Sequence, residues 1–428
     1  MRADMRSQLV STLPLLLTVA CSGNGGFDVV QSSQPRDMAP TVSSSDASEL
    51  STDNAAFAMD LYAKVATDDS SNLFYSPYSI SLALAMTYNG ANGETAQQMA
   101  QALHFTLPVD QLNAAFDSVD LALATRQFAK DDQGNAAQGL KLNVADSLWT
   151  DKTLSLQQPF VDALGVNYGA GVRVVDFIHA ADAAVDAING WVSEETNAKI
   201  PNLLSPSDVD DTTRLVLVNA IYFDAAWATP FETSATHAEP FTKIDGSTTT
   251  STAMSESLDS AGYASGSGWQ AVELPYVGNQ TSMVVVLPDS GQFATVEQGL
   301  SGAFFQSVTS SLASTSVQMT LPKFQIHGAT ISLKQTLEAL GMIDAFSNTA
   351  DFSKMANQPL YVGDVLHQAF VDVDESGTEA AAATAVVMKL GAIAQQPIAV
   401  DVNRPFVFFI RDIPTNTILF VGRVVDPG

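Results

Sequence analysis

The run Leu215-Val216-Leu217-Val218-Asn219-Ala220-Ile221-Tyr222-Phe223 is apolar apart from Asn219, near its centre, and the hydroxyl tip of Tyr222. A strand with one face in solvent alternates apolar and polar residues, whereas a run that is apolar at both parities is buried on both faces. The chain must therefore build a sheet covered above and below. Further runs read as strands at Gln270 to Leu274, Ser282 to Leu287, Val317 to Leu321, Phe370 to Val373, Pro405 to Ile410 and Ile418 to Val425. Helical spacing dominates earlier. Phe57, Leu61, Tyr62 and Val65 share one face behind the capping sequence Ser51-Thr52-Asp53. Ser76-Pro77-Tyr78-Ser79 opens a second helix that Asn89-Gly90 ends, and Asn92-Gly93-Glu94-Thr95 starts a third. Helices cluster early and strands late, so the fold class is α+β.

With 46 acidic against 19 basic residues the net charge is −27, which repels phosphate and excludes nucleic acid as a partner. Cys21 is the single cysteine. It follows the apolar run Leu9 to Ala20, which is preceded by Arg2 and Arg6 in the manner of a secretion signal and is too short to span a bilayer as a helix. Leu17-Thr18-Val19-Ala20-Cys21 resembles a bacterial lipobox, with Thr18 at the position where Leu is usual. The expected layout is a signal peptide over 1–20, lipidation at Cys21, a Ser-, Gly- and Pro-rich flexible tether over 21–50, and a folded domain over 51–428. Such a protein is extracytoplasmic, either secreted or held on a bacterial membrane. Ser22 after the cysteine, in place of Asp, points to the outer membrane. Disulfides and thiolate chemistry are excluded for the domain.

Signs of an enzyme are missing from the sequence. His104, His179, His237, His327 and His367 are scattered, and no Gly-x-Ser-x-Gly elbow occurs. Asp372-Val373-Asp374-Glu375-Ser376-Gly377 matches the opening of a calcium-binding loop, but Ala383 stands at the twelfth position, where a bidentate Glu is needed. No metal and no cofactor is expected.

The segment from Asp374 to Val387 reads as a β-strand held in reserve. Thr378, Ala380, Ala382, Thr384, Val386 and Met388 would share one face, all small or apolar, while Glu379 and Lys389 lie on the other. Gly377 supplies a hinge and no proline intervenes before Pro397. The same alanine run is equally compatible with a helix.

Several motifs in order resemble the serpin family over nearly all of Ser51 to Gly428. They are Asn72-Leu73-Phe74-Tyr75-Ser76-Pro77-Tyr78-Ser79-Ile80; Ile188-Asn189-Gly190-Trp191-Val192 with Thr196 and Lys199-Ile200; and Leu215 to Phe223 followed by Trp227, Pro230-Phe231 and Phe241. Leu366-His367-Gln368-Ala369, Asn403-Arg404-Pro405-Phe406-Val407-Phe408 and Leu419-Phe420-Val421-Gly422-Arg423-Val424 complete the set. The resemblance implies three β-sheets, eight or nine helices and an exposed reactive centre loop between Gly377 and Pro405. It also implies a monomeric suicide-substrate inhibitor rather than an enzyme: a serine or cysteine protease cleaves the loop, forms an acyl-enzyme, and is dragged away as the cut loop inserts in the main sheet.

Carried over by position, Glu375 and Gly377 open the hinge, Thr378 enters the sheet first, and Ala380, Ala381, Ala382 and Ala383 permit rapid insertion. Ser76, Ser79, Asn219 and His367 occupy the places of a switchable polar cluster beneath the opening sheet. Family spacing puts the scissile bond at Gly391-Ala392, with Leu390-Gly391 beside it. Other positions within Lys389 to Gln395 stay open. These small and medium side chains suit subtilisin-, chymotrypsin- or elastase-like proteases. The competing expectation is a serpin-fold surface binding protein whose loop never inserts.

Overall fold

The computed structural model describes residues 18–20, 26–66, 71–126, 141–378 and 396–428. In chain order the strands and helices are β1 (Thr18–Ala20), β2 (Asp28–Gln31), α1 (Ser44–Val65), β3 (Leu73–Tyr75), α2 (Pro77–Tyr88), α3 (Gly93–Ala102), α4 (Val109–Thr125), β4 (Lys141–Asp151), α5 (Gln158–Tyr168), β5 (Val172–Val175), α6 (Ala181–Glu195) and β6 (Leu215–Ala226). Then follow β7 (His237–Thr242), β8 (Thr248–Gly266), β9 (Trp269–Pro275), β10 (Thr281–Pro288), α7 (Phe293–Gln298), α8 (Gly302–Ser311), β11 (Ala313–Pro322), β12 (Phe324–His327), β13 (Ile331–Ser332) and α9 (Lys334–Ala339). The chain closes with β14 (Asp364–Val373), β15 (Gly377–Thr378), β16 (Ile398–Asp401), β17 (Phe406–Asp412) and β18 (Thr417–Val424).

The main sheet runs β1-β2-β5-β4-β6-β15-β14-β12, with β13 also on β14, and the second runs β16-β11-β8-β9-β10-β17-β18-β3, with β7 on β8. Of the three expected sheets, the second and third are thus one hydrogen-bonded surface among the described residues. The cause is β8. Its 19 residues pair with β7 from Thr248 to Ala253, with β11 from Ala253 to Tyr263 and with β9 from Gly262 to Gly266, so a single strand joins the two. The nine described α-helices agree with the expected number.

β6 lies at the centre of the main sheet, and every residue from Leu215 to Phe223 is buried. Helix α2 packs beneath it and is buried from Pro77 to Thr87, so its apolar sequence needs no polar face. Ser76 caps it, accepting the Ser79 N–H at 3.2 Å. Helix α1 departs from expectation by starting at Ser44, capped by Ser43. Ser51 and Asp53 have other work: Ser51 donates to the Asn416 carbonyl at 3.0 Å and Asp53 accepts from Thr106. Residues 26–50, which composition assigns to a tether, include strand β2 and the first turns of α1. Composition misleads here because this segment is held by partners distant in sequence rather than by its own apolar content.

On the second sheet Phe408 lies opposite Gly422 in the β17–β18 register, and a Cβ on Gly422 would come within 2.1 Å of the Phe408 ring. Phe74 stacks on both Phe408 and Phe420. Glycine is required by this ring, not by backbone conformation. Gly422→Ala is expected to destabilise the fold by about 1–3 kcal/mol through overpacking, read as a lowered urea midpoint with an unchanged slope.

Candidate functional site: a partly opened sheet

β6 and β14 run parallel and pair directly from Val216↔Asp364 to Ile221↔Ala369. Beyond that point they diverge, and β15 sits between them: Thr378 pairs with Ala225 on one side and Val373 on the other. The chain leaving β14 has turned back and seated two residues antiparallel in the mouth of the sheet.

The turn between β14 and β15 is tightly held. The Asp374 carboxylate accepts the Ser376 and Gly377 N–H groups at 2.7 and 3.3 Å, while its carbonyl accepts from the Trp227 indole at 3.0 Å. The calcium-loop-like residues Asp372 to Gly377 are therefore strand and turn. Backbone bonds run from Trp227 N–H to the Ser376 carbonyl and from Phe231 N–H to the Glu375 carbonyl, both at 2.9 Å. Glu375 accepts from Lys323 and Thr236, each at 2.7 Å. Partial burial opposes the Glu375 charge, but these two donors outweigh it and hold the carboxyl below its ordinary value. Gly377 approaches β6 so closely that a Cβ would lie 2.1 Å from the Ala225 carbonyl, at φ +155°. Thr378 is fully buried, its hydroxyl 2.8 Å from that of Tyr276, which stacks on Trp227.

The paired part of the seam carries the polar cluster. His367 on β14 lies directly opposite Asn219 on β6. The His367 Nε2 accepts the Ser76 N–H at 3.1 Å, so the proton sits on Nδ1 and is donated to the Asn219 Oδ1. Ser79 Oγ donates to the same Oδ1 at 2.8 Å, and Ser76 Oγ donates to the Leu419 carbonyl at 2.6 Å. Ser76, Ser79, Asn219 and His367 are thus one network, all fully buried. The Asn219 Nδ2 donates to Asp146 on β4, a residue that sequence reading missed. Burial, then the nearby Asp120, pushes the Asp146 carboxyl well up, against the Asn219 bond. Its one signal in the sequence is a carboxylate amid the strand-like Val144-Ala145-Asp146-Ser147-Leu148-Trp149.

Glu375, Gly377 and Thr378 are brought together at the sheet mouth, and the four polar residues lie further along the same seam. Ala380 to Ala383, the scissile candidates Leu390, Gly391 and Ala392, and Cys21 lie outside the described residues. Tyr276, Trp227, Lys323 and Thr236 hold the β14–β15 turn and Thr378, contacts that were not assigned from sequence.

Residues 52–427 match the family model described as serpin (serine protease inhibitor). The leukocyte elastase inhibitor of Xenopus laevis is 37% identical over 381 residues, covering 87% of this chain and 97% of the relative. The native-state crystal structure of tengpin, a thermophilic serpin, superposes with a TM-score of 0.78 at 31% identity, covering 93% of this chain and 97% of that one. Human thyroxine-binding globulin, complexed with its hormone, gives a TM-score of 0.77 at 29% identity, covering 89% and 99%. The chain belongs to the serpin family, a class of protease inhibitors rather than catalysts, in which protease-inhibiting members and a hormone-binding globulin share the fold.

The buried His367 has its pKa lowered from 6.5 to about 3, by desolvation opposed by its bond to Asn219. Between those values the unfolded chain binds a proton that the native protein excludes. Stability from this group is therefore fully present above pH 6.5 and is lost as pH falls toward 3, by at most about 1.4 kcal/mol per pH unit. Urea unfolding at pH 7, 6 and 5 is expected to show a fall in stability that His367→Gln makes shallower. An equal slope in the variant would remove His367 as its source.

Proposed function

We propose that this protein inhibits serine proteases by the insertion mechanism of its family, and that the observation carrying the reading is the seated pair Gly377-Thr378. The main sheet is already parted where the hinge enters and held shut beyond it by one cross-seam network. Lengthening β15 would take it across three β6 residues that have no β14 partner, after which each further residue would replace a β6–β14 pair, a zipper with a defined starting point.

Register supports both the loop residues and the cleavage region. Thr378 faces Ala225 in antiparallel pairing, so Val386, eight residues on, would face Leu217, and Met388 would face Leu215 at the start of β6. Cleavage at Leu390-Gly391 or Gly391-Ala392 leaves enough chain to fill the sheet from Ala225 to Leu215; a cut well before Met388 leaves it short. The small residues Ala380 to Ala383 would follow Thr378 across the unpaired part of β6 and into the seam. Moving the bound protease from Thr378 to Gly391 carries it on the order of 40 Å at about 3.3 Å per residue. If each inserted residue gains a net backbone bond of about 1 kcal/mol, the strand supplies on the order of 10 kcal/mol, sufficient to distort an acyl-enzyme active site.

The targets are subtilisin-, chymotrypsin- or elastase-like enzymes, from the small and medium apolar residues near the cut. The leukocyte elastase inhibitor relatives agree with that class. The protein acts as a monomer outside the cytoplasm. Lipidation at Cys21 would hold the body close to the outer membrane, because Asp28 is already paired in the sheet and seven residues span at most about 25 Å.

Mixing the protein with one protease of each type is expected to give an SDS-resistant covalent band with one of them, and mass spectrometry of the released peptide to place the cut within Leu390 to Ala392. Cleavage without any covalent band, under all three enzymes, favours the binding-protein alternative. Thr378→Arg is expected to leave cleavage within twofold while reducing the trapped fraction at least tenfold, since an arginine cannot occupy the buried Tyr276 contact. Undiminished trapping by that variant would count against insertion.

A further inference from the structure

The turn between β7 and β8, the turn between β10 and α7, and the residues that lead from β16 into β17 enclose a cavity of about 300 Å³. None of its walls comes from β6, β14 or β15. The walls are mainly apolar: Ile244 in the first turn, 43% exposed, with Phe293, Ala294 and Pro405. An isoleucine left in water at the edge of a hollow gains when an apolar group covers it.

Arg404 supplies the polar end of the same cavity. Its Nε donates to the Pro288 carbonyl at 2.8 Å, and its Nη1 to the Asn403 Oδ1 at 3.2 Å and the Asp401 carbonyl at 3.4 Å. All three acceptors are uncharged. Arg36, Arg126, Arg411 and Arg423 each pair with a carboxylate, whereas Arg404 pairs with none among the described residues, and its Nη2 has no hydrogen-bond partner there. Burial lowers the Arg404 pKa from its ordinary value against the pull of Asp289 and Asp401, so the cation is partly desolvated and under-compensated. Lys243, on the same wall, is already paired with Asp426. The bonds from Nε and Nη1 fix the plane of the guanidinium and leave Nη2 to donate to a carboxylate. Asp289 stands on the cavity wall as an exposed residue. A second negative charge on a ligand would be repelled by it, while a single charge is matched by Arg404.

We propose that this cavity binds a small monocarboxylic acid with an apolar body, its carboxylate on Arg404 Nη2 and its body against Ile244, Phe293 and Pro405. At about 30 Å³ per water-sized group the volume holds about ten such groups, the size of a short arylalkanoic acid. A bound acid would bridge the three segments, of which two are already joined by the Thr242 N–H donating to the Asn403 carbonyl at 2.8 Å. The site does not depend on insertion of the reactive loop.

Calorimetric titration of the full chain with hydrocinnamate, checked by ligand-observed NMR, is expected to show saturable binding with a Kd of about 1 mM or lower. Hydrocinnamamide keeps the body and loses the charge; propionate keeps the charge and loses the body. Each is expected to bind at least tenfold more weakly. Arg404→Gln removes the cation, and Ala294→Trp fills the hollow from an exposed helix position without touching Arg404 or its acceptors. Each variant is expected to weaken hydrocinnamate at least tenfold, and the second keeps the test open if the first fails to fold. Asp289→Asn is expected to strengthen phenyl phosphate, a dianion at pH 8, at least threefold, and by more than it strengthens hydrocinnamate. No saturable binding by the parent, or equal binding of the amide, would overturn the site. Unchanged affinity in Ala294→Trp would overturn its location. Phenyl phosphate binding the parent as tightly as hydrocinnamate would overturn the preference for a single charge.

Discussion

The cross-seam bond from His367 to Asn219 is the contact on which the arrangement turns. Parallel strands held only by backbone bonds and apolar side chains would resist parting uniformly along their length. Here, four buried polar side chains concentrate that resistance at one register position, because a donor or acceptor stranded in the core costs about 1–3 kcal/mol. Ser76 and Ser79 belong to α2, so the network fastens the seam to the helix beneath as well as closing it. Parting the strands requires His367 and Asn219 to give up partners before an incoming strand can supply backbone ones. A barrier is thereby placed ahead of the backbone bonds that the proposed insertion would bring.

Electrostatics extends the same network sideways. Asn219 accepts two hydrogen bonds on Oδ1 and donates from Nδ2 to Asp146, which fixes the orientation of its amide. Asp146 faces Asp120 across a small cavity that Leu82, Met86, Tyr168 and Ala170 also line, while Arg36 pairs with Asp120 and Asp117 at its rim. In a chain of net charge −27 that cation matters locally more than globally. It offsets carboxylates which, close together and partly desolvated, would otherwise repel one another beside the strand that must stay in place.

What was legible in the sequence follows the range of the interaction. β6 could be read because burial on both faces writes itself into nine adjacent residues, and α2 because Ser76-Pro77 is a local start signal. The hinge role of Gly377 and Thr378 stays an expectation, while their small size fits the seat they occupy, where a Cβ on Gly377 would meet the Ala225 carbonyl. The start of α1 was misplaced because Ser51 and Asp53 look like caps but bond to Asn416 and Thr106, hundreds and tens of residues away. β8 gave no signal, since its Ser, Thr and Ala residues have no alternating apolar face, and its length is imposed by neighbours on both sides. Asp146 and the docking of residues 26–37 are long-range facts of the same kind, visible only once the strands are in register.

The register also assigns different work to the two ends of the main sheet. At the hinge end, Gly377 and Thr378 spread β6 from β14, with Tyr276 and Trp227 lining the seat. At the other end, the rows through Leu215 and Leu217 continue through β4 and β5 into β2. In the proposed insertion a strand zipping in from the hinge would meet first the unpaired stretch, then the His367–Asn219 bond, and last the rows that continue into β2. Resistance is therefore graded along the path rather than spread evenly. Because an antiparallel insert advances one β6 residue for each of its own, the polar lock is met when residue 384 would face Asn219, past the alanines and before the cut. In the proposed insertion small side chains would thus enter before the main barrier, where speed is needed, and the larger Val386 and Met388 would follow it, where added burial would stabilise the strand already in place.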